Sequence, residues 1–391
     1  MRALCCLFAL SVSGAAVAQE VPCGGDFQAF KAKLQDEAVA MGHDPQVAQR
    51  FLSGAQQDSS VLRRDRAQGI FQTPFIEFSR KLISQDRLDR GRQLSQRWDE
   101  VFDRIERDYG ISRGVLLAFW AFETDYGAFQ GDFNTLDALV TLAHDCRRPE
   151  IFRPQIFSAM ELYERGDFDP DTTTGAWAGE IGMVQMLPKD ILENGMDGDG
   201  DGQVTLKSSA PDALLSGAKM LSELGWRHGE PWLQEVVLPA DMDLSLTGLE
   251  TTMSVAEWER LGVRAREGAL DDGRLEASIL LPQGRGGPSF IAYPNFRVYF
   301  EWNQSFTYVM TAAYFASRLE GASVYDPGNP DPGLSGEQML ALQRALDAKG
   351  YDVGGIDGIL GAGTRSAVRD MQARLGLPAD GWPTVELLNR L

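Results

Sequence analysis

The chain has 391 residues, of which 43% are hydrophobic and 9% aromatic, enough for two or three domains with substantial cores. Its formal net charge is −19, which argues against nucleic acid and anionic membranes as partners. The three histidines, His43, His144 and His228, lie far apart with no HExxH pairing, and no GxSxG elbow occurs. These absences argue against a zinc amidase or metallopeptidase and against a serine nucleophile of the elbow type.

Residues 1–18, MRALCCLFALSVSGAAVA, combine one basic residue, an apolar centre and an Ala-Val-Ala ending. They read as a secretory signal cleaved after Ala18, because the apolar run is too short to span a bilayer comfortably. No other stretch reads as a membrane helix, so the expectation is an exported, soluble, periplasmic protein. Two cysteines then remain, Cys23 and Cys146. In an oxidising compartment, without metal partners, they form either a disulfide or two buried free thiols.

From Gly25 to about Tyr109 apolar and charged residues alternate at helical spacing, as in FQAFKAKLQDEAVAMG and RLDRGRQLSQRWDEVFDRIERDYG. Next comes ISRGVLLAFWAFETDYG from Ile111, with Ser112 as a cap and Gly127 as a stop. The run Leu116–Phe122 is apolar all round and ends on Glu123. Helical spacing puts Leu116, Phe119, Trp120 and Glu123 on one face. Such a carboxyl either escapes to solvent or pairs with an arginine, or else points into a dry aromatic pocket. In a dry pocket burial raises its pKa and makes it a general acid. Asp125, two residues on, points away from it.

Helices with short connections continue to residue 226. Residues 233–300 change character: EVVLPADMDLSLTG, ASILLPQG and FIAYPNFRVYFEW carry strand-like runs with Gly and Pro turns. A helix at Ser305–Leu319 follows, and the Pro- and Gly-rich 326–334 reads as a linker. In the remainder, Ser335 can cap a helix with Leu342, Ala345 and Leu346 on one face. Thr364 can cap a second with Val368, Met371 and Leu375, and TVELLNRL makes a third.

The order LQRALDAKGY, DGILGAGTRSAVRDMQ, GLPADGW closely resembles the peptidoglycan-binding domain found on many cell-wall hydrolases, over nearly all of 335–391. The region from Gly25 to Leu319 resembles the lytic transglycosylases of the membrane-bound transglycosylase B type. FWAFETDYG resembles that family's catalytic helix, and WAGEIGMVQMLP (Trp177–Pro188) is similar to its AGAMGxxQFMP segment. DGDGDGQVTLKSSAPDAL resembles its acidic metal loop, and YPNFRVYFEWNQSFTY its NF…YN…Y segment.

The resemblance implies a mainly α fold: a lysozyme-like helical catalytic core with a small mixed α/β insertion, and a three-helix C-terminal peptidoglycan-binding domain. It implies a leader at 1–18, a catalytic region at 19–325, a linker at 326–334 and the binding domain at 335–391. It also implies cleavage of the β-1,4 bond between N-acetylmuramic acid and N-acetylglucosamine without water, giving 1,6-anhydro ends, with Glu123 as acid and then base and no catalytic cofactor. Gln185, Asn303 and Tyr308 match sugar-site positions, and Trp302 stands where the family has tyrosine, still able to stack on a sugar. Further departures are Ala176 for serine, Met220 for a cleft tyrosine, and Glu180 for alanine. Glu180 either tunes Glu123, serves as a second carboxylate, or faces solvent.

In the acidic loop Asp197, Asp199 and Asp201 take positions 1, 3 and 5 of an EF-hand, with Gly202 at 6 and the Gln203 carbonyl at 7. Position 12 is Ser208, so Asp212 is the candidate for the last ligand. The loop either holds a structural Ca²⁺ or is a solvated acidic turn. The expected partner is the peptidoglycan strand, acted on by a monomer. The rival readings are a non-catalytic wall-binding protein and a hydrolytic muramidase.

Overall fold

The structure is a computed structural model and describes residues 21–67 and 73–391; the expected leader at 1–18 lies outside the described residues. Six helices come first: α1 (Phe27–Ala40), α2 (Pro45–Ser53), α3 (Ser59–Arg66), α4 (Phe75–Leu82), α5 (Gln85–Arg97) and α6 (Asp99–Tyr109). Asp26, Asp44, Asp58 and Ser84 accept backbone N–H groups at the starts of α1, α2, α3 and α5, where four amides lack helical partners. Then come α7 (Arg113–Thr124), β1 (Phe133–Asn134), α8 (Thr135–His144), α9 (Pro149–Arg165), β2 (Thr174–Gly175), α10 (Pro188–Asn194) and α11 (Ala210–Glu223). The mixed segment holds β3 (Leu233–Val237), β4 (Met253–Ser254), α12 (Val255–Arg260), β5 (Arg264–Ala265), β6 (Glu276–Leu280) and β7 (Ser289–Ala292). It is followed by α13 (Pro294–Trp302) and α14 (Phe306–Leu319), then α15 (Gly336–Asp347), α16 (Ala362–Arg374) and α17 (Val385–Asn389).

α7 is the buried axle of the core. Gly114 to Ala121 are all buried, as an all-apolar helix surface requires. Phe122 stacks on Phe315 of α14 at 5.1 Å, and Phe119 lies 5.0 Å from Tyr299 and 4.4 Å from Trp302 of α13. Each large side chain buried this way contributes about 2 kcal/mol. Both ends of the axle are tied. At the start, the Gly114 N–H donates to Ser112 Oγ and to Glu320 Oε1 at 2.7 Å; Glu320 sits just past α14.

At the far end the helix stops earlier than Gly127. Asp125 already takes left-handed φ of 50° and Tyr126 follows at 60°. Aspartate tolerates that conformation better than most residues, and here its carboxylate is gripped by Arg87 and Arg90, each at 3.0 Å. Those two cations hold the Asp125 carboxyl below the usual carboxylate range despite partial burial.

Cys23 and Cys146 are joined by a disulfide, which pins the first described residues beside the end of α8. The bridge spans 123 residues, and closing a loop of that length stabilises by roughly 4–5 kcal/mol in the chain-entropy account.

The five-stranded sheet has the order β4-β6-β7-β3-β5 with antiparallel pairs throughout, Leu233 facing Ala292 and Ser278 facing Ala292 from the other side. The stretch FIAYPNFRVYFEW is strand only through Ala292. Pro294 then opens α13, because proline fixes φ for a first helical turn and cannot donate to a ladder.

In the C-terminal unit, Met339, Leu342, Leu346, Val353, Val368, Met371 and Leu387 form the core. Ser335 and Gln338 make a reciprocal capping box at α15. Thr364 is not the cap of α16. It is fully buried one turn inside, donating to the Val353 carbonyl at 2.9 Å, and Gly361 holds the cap position without a side-chain bond. The Pro- and Gly-rich connector lies flat on the body: Asn329 N–H donates to Gly286 O at 2.7 Å, and Trp382 Nε1 donates to Asp331 O at 2.9 Å. Among the described residues no helix is long and apolar enough to cross a membrane.

Candidate active site

Glu123 lies in the last turn of α7, where the helix meets the corner between α13 and α14. Two neutral donors reach it from that corner. Trp302 Nε1 donates to Glu123 Oε1 at 3.1 Å, and Tyr308 Oη donates to the same oxygen at 2.5 Å. Among the described residues no lysine or arginine pairs with it. Burial therefore dominates and pushes the carboxyl up to about 7; the Tyr308 and Trp302 bonds pull against this, and Glu180 adds a further upward push. Burial and the neighbouring acid also drive the Tyr308 phenol well above its usual value, so it remains a donor.

The second wall is the tight turn at 176–186. Ile181 and Met186 exchange backbone bonds of 2.8 and 3.1 Å. Thr124, next to the acid, donates through Oγ1 to Met183 O at 2.6 Å, which fastens the turn to α7. Gly182 has φ of 82°, and a Cβ there would meet Leu206 at 2.5 Å, so only glycine fits. Gln185 itself has φ of 55°. Its amide nitrogen donates to Gly182 O at 2.8 Å and Gln130 O at 3.3 Å, and among the described residues its side-chain oxygen has no partner. A glutamine fixed on one side and open on the other suits a sugar hydroxyl or N-acetyl N–H.

Glu180 lies in this same turn. It is half-buried, its Oε2 has no hydrogen-bond partner among the described residues, and desolvation raises its pKa. Ala176, where the family has serine, contributes only its N–H, to Glu180 O at 2.8 Å. Trp302 is a donor to the acid and packs on Phe119 rather than standing free. Asn303 ends α13, its Oδ1 accepting the Ser305 N–H at 2.9 Å. Met220 packs partly buried against the core.

The acidic loop brings together three of the five expected ligand residues. Carboxylate oxygens of Asp197, Asp199 and Asp212 lie within 4.8 Å of one another. Asp212 is wholly buried and accepts N–H groups of Gly198 and Thr205 at 2.9 and 2.7 Å. Ser209 Oγ donates to Asp199 at 2.7 Å. Asp201 stands outside the trio, its carboxylate accepting the Gln203 N–H at 2.8 Å, and the Gln203 carbonyl is likewise not drawn into it by any described bond. Three converging carboxylates, unpaired with any cationic side chain among the described residues, form a donor set for a hard divalent cation. The loop is braced onto the site: Met183 N–H donates to Leu206 O at 2.9 Å, and Gln130 Nε2 to Lys207 O at 3.0 Å.

Sequence reasoning missed Thr124, Gln130 and Leu206 as supports. Thr124 was visible only as the residue after the acid, and the others carry no local signal.

The Transglycosylase SLT domain family matches residues 26–317, and a peptidoglycan binding domain family matches 335–391. Membrane-bound lytic murein transglycosylase B of Escherichia coli is 26% identical over 304 residues, 73% of this chain and 82% of the relative. The crystal structure of SltB3 from Pseudomonas aeruginosa with NAG-anhNAM-pentapeptide superposes with a TM-score of 0.85 at 34% identity, covering 94% of this chain and 99% of that one. The Escherichia coli transglycosylase Slt35 in complex with calcium gives 0.65 at 26% identity, covering 77% and 96%. With its core, cleft and C-terminal unit all matched, the chain belongs to the SLT-domain lytic transglycosylase family and carries a peptidoglycan-binding domain.

Proposed function

We propose that this protein is an exported, periplasmic lytic transglycosylase that cleaves the β-1,4 bond between N-acetylmuramic acid and N-acetylglucosamine and leaves 1,6-anhydro ends. The observation that carries the reading is Glu123, a half-buried carboxyl raised by desolvation to a pKa of about 7, with both donors on Oε1. An oxygen that already accepts two hydrogen bonds is the poorer site for a proton, so the acidic proton sits on Oε2. From there it passes to the glycosidic oxygen as the bond to the muramoyl anomeric carbon breaks. The Glu123 carboxylate, now held by Trp302 and Tyr308, takes the proton of the muramoyl 6-hydroxyl. The 6-oxygen closes onto the anomeric carbon, and no water is consumed.

Gln185 and Asn303 contact the sugar, while Trp302 and Tyr308 serve mainly to hold the acid. The catalytic region spans 19–325, the connector 326–334 and the wall-binding domain 335–391, which keeps the enzyme on its polymer. Asp197, Asp199 and Asp212 hold a structural Ca²⁺, in line with the calcium complex of Slt35. Calcium that left the melting temperature unchanged would remove the metal from this account.

A hydrolytic muramidase needs a second carboxylate as base or nucleophile. Glu180, its pKa raised by desolvation, is the candidate for that role, and the two readings differ in the product they release. The deciding experiment is digestion of purified sacculi followed by mass spectrometry. Products one water lighter than hydrolytic muropeptides, absent with Glu123→Gln, are expected. Full-weight reducing products would establish a hydrolase, and binding without release would establish a wall-binding protein.

A further inference from the structure

The C-terminal domain is seated on the catalytic body at one particular place. Arg365 of α16 is buried and has no carboxylate partner among the described residues. Its guanidinium lies 4.3 Å over the Phe306 ring and 5.8 Å from Trp382, and Nη2 donates to Pro282 O at 2.9 Å. Arg369, one turn on, pairs with Glu250 at 3.1 Å. From the body, Arg285 N–H donates to Asp380 at 3.0 Å, and Asp380 in turn accepts from Gln372 and from the Trp382 N–H. A buried cation there is costly unless something holds it.

Phe306 is the first residue of α14. The corner it belongs to, 302–308, delivers both donors to the catalytic acid: Trp302 at one end and Tyr308 at the other. The Ser305 cap and the Asn303 bond shape this corner from within, and Arg365 covers its apex from outside.

We propose that Arg365 is a positioning residue, through which the docked wall-binding domain holds the 302–308 corner, and so Trp302 and Tyr308, against Glu123. The proposal rests on Glu123 being the catalytic acid. It assigns the C-terminal domain a part in turnover besides anchoring. A shift of the corner by a fraction of an ångström lengthens both bonds to the acid, and reactions are steep in such displacements.

The test uses the full chain with Arg365→Leu, which keeps bulk but removes the cation and the Pro282 bond, and Arg365→Lys, which restores a cation and a donor. Turnover is measured on a soluble peptidoglycan tetrasaccharide, too short to engage cleft and wall-binding domain together, and binding is measured on intact sacculi. The expected result is a roughly tenfold to hundredfold fall in kcat on the tetrasaccharide for Arg365→Leu with KM little changed, and partial recovery in Arg365→Lys. An unchanged kcat on the tetrasaccharide, with only sacculus binding reduced, would overturn the proposal and leave the domain as an anchor. If Arg365→Leu does not fold, Glu250→Gln loosens the same seam from its outer ion pair and is read the same way. Release is scored whether products are anhydro or hydrated, so an error in the reaction type does not obscure the result.

Discussion

Glu123, half-buried and desolvated, and Arg365, buried, are both ionisable groups without an ion-pair partner among the described residues, and they resolve the conflict in opposite ways. Glu123 is raised to about 7, so near neutral pH it can hold or release its proton, which is what an acid that must later act as a base requires. Arg365 is pushed down to about 9 by burial and by its neighbour Arg369, so it remains a cation and is held by ring faces and a carbonyl instead. Desolvation makes the first group reactive and the second a fastener. The difference lies in how far the ordinary pKa stands from neutrality.

The comparison breaks most sharply at the acid. Glu123→Gln is expected to lower muropeptide release by about a thousandfold or more, within the range for loss of a general acid, read by mass spectrometry of digested sacculi. The same change is expected to stabilise the fold at neutral pH. A carboxyl raised from 4.5 to about 7 on folding costs no stability below pH 4.5, and the cost grows as pH rises to 7, reaching about 3 kcal/mol. Melting curves of the variant and parent should coincide near pH 4 and separate near pH 7.5, with the variant higher; equal melting temperatures at both would refute the buried acid.

Tyr308→Phe removes the shorter of the two bonds to Oε1. Hydrogen bonds to charged groups contribute about 1.5–3 kcal/mol, so kcat is expected to fall about tenfold as the carboxylate half of the cycle loses support. The Tyr308 bond lowers the acid's pKa; without it the basic limb of the pH–rate profile moves to higher pH. Glu180→Ala gives the smallest effect and the opposite sign. Glu180 raises the pKa of Glu123, so its removal moves the basic limb to lower pH, with turnover at the optimum retained. A profile that does not move would separate the two carboxyls electrostatically.

Much of the site was legible because its signals are local. An all-apolar helix ending on a carboxyl, a Ser112 cap and three alternating aspartates can be read without knowing what packs on them. The acidic loop shows where this stops. Asp197, Asp199 and Asp201 look equivalent in the sequence, yet it is Asp212, eleven residues past Asp201, whose carboxylate converges with those of Asp197 and Asp199. The connector shows it again. Its Pro and Gly content marks a break between elements, but its attachment to Gly286 and Trp382 depends on groups far along the chain.

The sequence by itself determined most of the helices, caps such as Ser112 and Ser335, the candidate acid and the presence of a separate C-terminal unit, since periodicity and capping act within a few residues. Only the tertiary structure decided that Trp302 and Tyr308 meet on one oxygen of Glu123, that Glu180 comes close enough to act on its pKa, and that Arg365 is seated over Phe306. Those outcomes depend on which surfaces exclude water together. Groups about 180 residues apart in the chain set the pKa of the acid through burial and hydrogen bonds, which no local pattern encodes.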